Sequence, residues 1–510
     1  MVFMQGTSDP NPELLDAMAL CGHLVARDSV HWFLAEHRHR LFPDEMFADL
    51  FASGKGRPST PADVIATVMV LQALEGLSDR EAVMQLRNSI SWKVAAGRSL
   101  TDEGFHSTVL TLWRNKLRAS DRPQRIFDAV REVIDATNIL AGKTRRALDS
   151  TVLDDAVTRQ DAIMQLVAQV RRVRRLIPAA KALELVAHDY DHDPGKPMCA
   201  WNDRADIDRV VTELVNDANT ILAALKGVEL DDMQAEAVGL LALVAGQDVE
   251  PGDSEGTWRI AQQTRPDRIV SVNDPESRHV HKTTSNYRDG FKAHIGIEPD
   301  TGLITACELT AGNVGDAQAA PGLLAGETEP VEVLADSAYG SGEFRNHLVE
   351  HGHTATIKPI PLQPAIPDGF TIDDFTVNTT AATITCPNGI TTRISAHGNA
   401  TFGAKCRGCP IRERCTTATG GRHVYVNEHH DLLAAARAHA LTTAFTVPYR
   451  QHRPMVERSI AWIVRRGGRK VRYRGIARNQ IGLAHRCAAV NLRRLVNIGI
   501  GWDNGWMIAT

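Results

Sequence analysis

The 510-residue chain has no run of about 18 apolar residues, so the sequence offers no transmembrane helix. Its opening, MVFMQGTSDPNPELL, has no basic stretch followed by an apolar one, so no secretory signal is expected and a cytoplasmic site of action is. Aromatic residues make up only 5%, and the formal net charge is only −4. That balance excludes a uniformly basic nucleic-acid binder. Cysteines number eight, and Cys21, Cys199, Cys307 and Cys487 are scattered singly. A disulfide framework is therefore not expected.

What is present is ordinary globular composition, 43% apolar and 23% charged, over a length that suits two to four domains. The charge is segregated. Between Arg450 and Arg494 stand thirteen Lys or Arg residues and one acid, Glu457. A shorter run, Arg171-Arg172-Val173-Arg174-Arg175, lies mid-chain. Such segregation points to a polyanion partner, against the plainer reading of a solvated helix face.

Residues 31–117 read as all-helical. Thr60-Pro61-Ala62-Asp63 reads as a helix start with Thr60 as N-cap. Gly76 ends that helix, and Ser78 with Glu81 forms a capping box for the next. The pair suits a helix-turn-helix, as many helical pairs do. Ala147–Leu153 reads as a short strand bearing Asp149. From there to about Ala245 the chain reads as a helical insertion. Within it, His188-Asp189-Tyr190-Asp191-His192-Asp193 reads as a solvated loop before Pro194-Gly195.

Beyond Arg268 the period changes to two. Phe291–Ile297 and Leu303–Leu309 read as a hairpin about Pro299–Gly302. A helix over Ala317–Leu324 leads to the strand Val331–Leu334, which delivers Asp336 to its end. A helix near Glu343–Glu350 and a strand at Thr354–Lys358 follow, giving a mixed α/β sheet. At this level Asp336 is equally well a plain helix N-cap.

Residues 359–445 interrupt the pattern and carry Cys386, Cys406, Cys409 and Cys415. The CxxC with Gly408 inside it is a knuckle that suits four thiolates on a tetrahedral zinc ion; an iron–sulfur cluster is chemically open as well. Pro454–Val464 reads as a helix with Val456, Ile460, Ile463 and Val464 on its buried stripe. Arg450, Arg453 and Glu457 share another face. A last helix is expected at about Gln480–Val496.

Asp149, Asp336 and Glu457 stand out for one reason. Three carboxylates can hold two divalent ions for phosphodiester chemistry, and carboxylate oxygen suits magnesium or manganese. Here the sequence resembles the DDE transposases of bacterial insertion sequences. The resemblance rests on ALDSTVL around Asp149, YRDGFKAHIGIEPDTGLI (Tyr287–Ile304), LTAGNVGDA (Leu309–Ala317), VLADSAYG around Asp336, and RPMVERSIAWIVRRGGRKVRYRG (Arg453–Gly475) around Glu457. LFPDEMFADLF (Leu41–Phe51), with the segment after it, looks like the helical N-terminal domain of the same proteins. The cysteine cluster looks like that of one branch.

The resemblance implies a ribonuclease H-like core with Asp149, Asp336 and Glu457 as its acid triad. It implies a helical DNA-binding part at 1–120, a core at 121–358 interrupted by a helical insertion at about 156–265, a cysteine-rich insertion at 359–445, and the end of the core with basic helices at 446–510. Double-stranded DNA at element ends and target becomes the expected partner, a homodimer the expected active form, and the nucleoid the expected place. Lys292, His294, Arg450, Arg453, Arg458, Arg465, Arg466, Arg469, Lys470, Arg472 and Arg474 are the expected DNA contacts. A related subgroup carries Tyr, Arg, Glu and Lys at fixed spacing on the last helix. Arg453 and Glu457 fit; Tyr449 is one position early, and Val464 stands where Lys would be. A DNA-binding protein without catalysis, and a nuclease without strand joining, are the alternatives.

Overall fold

The computed structural model describes residues 3–9, 14–51, 54–263, 265, 267–283 and 286–508. The expected helical DNA-binding part at 1–120 lies partly outside them. Among the described residues, six strands form one mixed sheet: β1 (Arg145–Asp154), β2 (Arg278–Thr283), β3 (Asn286–Ile297), β4 (Ile304–Ala311), β5 (Glu332–Ala335) and β6 (Thr354–Ile357). Their order is β6-β5-β1-β3-β2, with β4 also paired to β3. β3 runs antiparallel to β1, from Ala147 opposite Ile297 to Asp154 opposite Gly290. β5 runs parallel to β1, and β6 parallel to β5.

The sheet divides two apolar cores, and side-chain alternation sorts its residues between them. Leu148, Val333 and Ala335 pack with Leu323, Phe344 and Leu348 of the helices Asp316–Leu324 and Gly342–Glu350. Ala147, Leu334, Ala293 and Ile295 belong to the opposite core, with Val456 and Ile463 of the helix Thr443–Val464 and Leu483 and Leu492 of the helix Ile476–Ile498. Val456 is fully buried, worth about 1.5–3 kcal/mol of transfer free energy. The N-terminal helices share this second core. Their central helix, Ala62–Glu75, is buried at every position from Ala62 to Gln72.

That burial corrects part of the helix-turn-helix reading. The turn and the capping box are present, but the first helix lies inside and presents no face to a partner. Thr60 is not the cap. Pro61 holds that position with no side-chain bond, and Asp63 turns inward to Arg38, 3.2 Å away, and to Ser8. Gly76 has φ 72°, and a Cβ there would lie 2.6 Å from the carbonyl oxygen of Arg466, so only glycine fits.

Between β1 and β2 the chain makes a helical insertion around Ala162–Leu176, Arg204–Ala224 and Asp232–Gln247, with its own core of Leu166, Val170, Leu214 and Leu241 among others. His188–Asp193 is a loop, as expected. Tyr190, which the sequence did not single out, is buried in it and donates to Asp217 at 3.0 Å.

The second insertion follows β6. It pairs three-residue strands, Thr376–Asn378, Thr383–Thr385 and Thr391–Arg393 in one sheet, Asn399–Thr401 and His423–Tyr425 in another. Its buried apolar core is only Phe375, Ile384, Ala400, Phe402, Cys415, Val424 and Val426. The helix after it begins at Thr443, earlier than the expected Pro454. Pro448 and Pro454 lie inside it, where proline ordinarily marks a start. No described helix is long and apolar enough to cross a membrane.

Candidate active site

Asp149 shares the sheet face of Ala147, two residues earlier on β1. Asp336 follows Leu334 in the same way at the end of β5. That face is the one covered by the helix Thr443–Val464, which carries Glu457 one position after the buried Val456. Alternation on two parallel strands and one helix turn therefore brings together acids 187 and 121 positions apart.

They meet at Arg453. Its Nη1 donates to Asp149 Oδ2 at 3.2 Å, and its Nη2 lies 3.1 Å from Asp149 Oδ1. The same Nη2 is 3.9 Å from Asp336 Oδ2, and Nη1 is 3.7 Å from Glu457 Oε1. The Arg453 side chain is 6% exposed and that of Asp149 15%, whereas Asp336 is 43% and Glu457 66% exposed. The centre is closed at its base and opens to solvent on the side of Asp336 and Glu457. Burial pushes the Asp149 carboxyl above its ordinary range, and Arg453 pulls it only part of the way back.

Asp336 is also an N-cap, accepting from the backbone N–H of Ala338 at 2.9 Å over the short turn Ser337–Tyr339. That turn buries Tyr339 completely, with its hydroxyl unpartnered and in the field of Asp316, Asp149 and Asp336. Tyr449 stacks on Phe445 with ring centroids 5.3 Å apart, and its hydroxyl meets Arg453. Tyr339 and Asp316 lie inside the motifs that carried the resemblance. Nothing in their spacing marked them as neighbours of the acids.

The expected DNA contacts divide. Arg450, Arg458, Arg465, Lys470 and Arg474 are exposed. Arg469 is held on β1 by the Val152 carbonyl at 3.3 Å, and Arg472 donates to the carbonyls of Gly76 and Leu77. Arg466 reaches the Leu74 carbonyl at 3.4 Å. Lys292 is paired with Asp316 at 3.0 Å. His294 requires correction: it is 0% exposed, bonded to Thr310 at 2.9 Å, and cannot touch DNA. Burial lowers its pKa to about 4. Arg453 is likewise enclosed, among the acids instead of on a surface.

The four clustered cysteines are all free and line one small cavity with Arg422. The Arg422 N–H donates to Cys406 Sγ at 3.4 Å. Burial pushes the Cys415 thiol up, as do Cys406, Cys386 and Cys409 nearby, against the pull of Arg422. Among the described residues, no group of three or more His, Cys, Asp or Glu side chains stands ready-formed to hold a metal ion.

A mixed sheet with three acids gathered on one face, beneath a helix that carries the third, is the frame of an acid-centred α/β protein. Residues 385–496 match the family model described as a transposase DDE domain, and residues 27–116 match that of a transposase domain, DUF772. Each match covers part of the chain, and they fall at its two ends. Together the two matches support a DDE transposase of the insertion-sequence type. No curated protein and no solved structure gives a significant match.

Proposed function

We propose that the chain cuts DNA at the ends of an insertion sequence and joins those ends to a target, with Asp149, Asp336 and Glu457 as the reacting centre. The observation that carries this is the convergence of all three carboxylates within 4 Å of one guanidinium. A cation already stands where the acids meet, and every acid donor is oxygen, so the set fits magnesium or manganese. Such ions, when bound, activate an attacking oxygen and neutralise the departing one. Asp149 supplies the enclosed side of the centre. Asp336 and Glu457 supply the side that faces solvent, where a DNA strand has access. Arg453 is the counter-charge that lets the acids stay close without an ion.

The strand order supports a ribonuclease H-like reading of the core: β4-β3-β1-β5-β6, with β3 antiparallel between β1 and β4 and the last two strands parallel to β1. Exposed Arg450, Arg458, Arg465, Lys470 and Arg474 would grip phosphates of double-stranded DNA, and two copies would bridge two element ends. Cys386, Cys406, Cys409 and Cys415, which line one cavity, would be the ligands of a structural zinc ion. The meagre core around them supports a cross-link of that kind.

One observation favours a DNA-binding protein without catalysis: the three acids already share the cation of Arg453. Cleavage decides between the two. With duplexes carrying the element's own ends, the wild type should cleave in magnesium. Asp336→Ala should bind the same duplex and leave it intact. Magnesium-dependent cleavage by that variant would overturn the triad, and cleavage without strand transfer to a target plasmid would make the protein a nuclease.

A further inference from the structure

A second cluster of charge lies at the seam between the N-terminal helices and the helix Ile476–Ile498. A cavity of about 130 Å³ is lined there by Arg465, Arg466, Arg472, Arg486, Arg493 and Arg494. A water needs roughly 10–15 Å³ on this measure, so the space takes several water-sized groups. No Asp or Glu lines it. None of the six arginines forms an ion pair with a carboxylate among the described residues. Glu75 lies near Arg466 and Glu81 near Arg472, both outside the lining. Arg114, which also lines the space, is already paired with Asp79.

Two further features mark the cavity as a built site. His485 is 5% exposed, lines the space, and has its Nε2 buried without a partner. Arg494 spends Nη1 on the Thr301 carbonyl and Nη2 on Ser459 Oγ, at 3.4 and 3.1 Å, and leaves its Nε buried and unpartnered. The groups that line the space are cationic or neutral. Trp462 is flanked by Arg465 at 4.9 Å and Arg493 at 4.2 Å from its ring centroid. Arg486 spends one N–H on the Gly468 carbonyl, 18 positions away in the chain. Burial and the neighbouring Arg472 lower its pKa to about 10. Like charges gathered along one cavity favour an anion as their common neighbour.

We infer that this cavity binds a phosphate group. Guanidinium forks match phosphate oxygens in pairs, and the unpartnered His485 and Arg494 nitrogens supply further donors. The group comes either from the DNA backbone or from a free phosphate. The site is separate from the acid centre and does not depend on cleavage there. It joins Gly76, at the end of the helix Ala62–Glu75, to the arginines of the segment 465–472 and of the helix Ile476–Ile498, so an anion here would clamp the N-terminal helices to the last helix.

The full-length chain tests this with inorganic phosphate as the probe. At matched ionic strength, millimolar phosphate should raise the thermal midpoint by several degrees over chloride. Calorimetric titration should show saturable binding. Arg486→Gln should remove most of the shift. Arg493→Gln, at an exposed position, should weaken binding severalfold and leave the circular dichroism spectrum unchanged. A short duplex that competes with phosphate would place a DNA phosphate in the cavity, and one that binds alongside it would assign the site to a free phosphate. Equal midpoints in phosphate and chloride, or full binding by Arg493→Gln and Arg486→Gln, would overturn the site. Asp336→Asn should keep the phosphate shift even if no cleavage is found in any variant, so failure at one centre does not decide the other.

Discussion

The acid centre and the arginine cavity are opposites. At the first, three carboxylates surround one guanidinium. At the second, seven arginines line a space that no carboxylate lines, and only Arg114 has an acid partner among the described residues. The first is compensated only in part, one positive charge against three negative, which leaves room for a cation; the second is left to a ligand from outside. Negative charge that one arginine offsets only in part marks a place where a cation can bind. Positive charge that the fold leaves unbalanced marks a place where an anion is due.

The contrast breaks most severely at the acids. Asp149→Asn should lower cleavage roughly a thousandfold, because several kcal/mol of charge stabilisation are lost at 1.36 kcal/mol per tenfold. A gel assay on end-bearing duplex measures it. Next comes Arg453→Gln. Breaking a pair whose arginine is 6% exposed should cost about 3 kcal/mol, and the loss in thermal stability should shrink when manganese is added. An equal loss with and without manganese would deny Arg453 its counter-charge role.

A smaller effect follows pH. The fold raises the Asp149 pKa above 3.8, so the folded protein holds that proton more tightly than the unfolded chain. Its contribution to stability is therefore greatest at low pH and falls as pH rises from 3.8 through the raised value. Proton and metal compete for the same oxygens, so manganese affinity should weaken as pH drops below that raised value. Asp149→Asn should flatten the dependence in a titration series. The smallest change belongs to the exposed rim. Arg465→Gln should alter stability by no more than about 0.5 kcal/mol, and it should reduce the salt slope of DNA binding by about one unit.

Much of the sheet was legible because apolar alternation and turn residues mark each strand: the hairpin at Pro299–Gly302 and the strand before Asp336 lie where the pattern puts them. The triad was legible only through the family motifs, since nothing local separates Asp149 or Asp336 from other acids at strand ends. His294 misled because β3 is central, with Ala293 and Ile295 buried in the core on one face and the helix Asp316–Leu324 packed over His294 on the other, so alternation gives it no outward side. Arg453 looked like a phosphate contact because helix spacing shows which residues share a face, but not what covers that face. The arginine cavity was illegible as a site. Its walls come from residues near 72–76, 114, 462–473 and 482–497, and the basic run looks the same in sequence whether its side chains face solvent or one another.

The most direct measurement is manganese binding to the purified chain, followed by electron paramagnetic resonance at neutral pH. One or two ions should bind the wild type, and Asp149→Asn, Asp336→Asn and Glu457→Gln should each weaken that binding by tenfold or more. Undiminished manganese binding in all three variants would contradict an ion-holding acid centre.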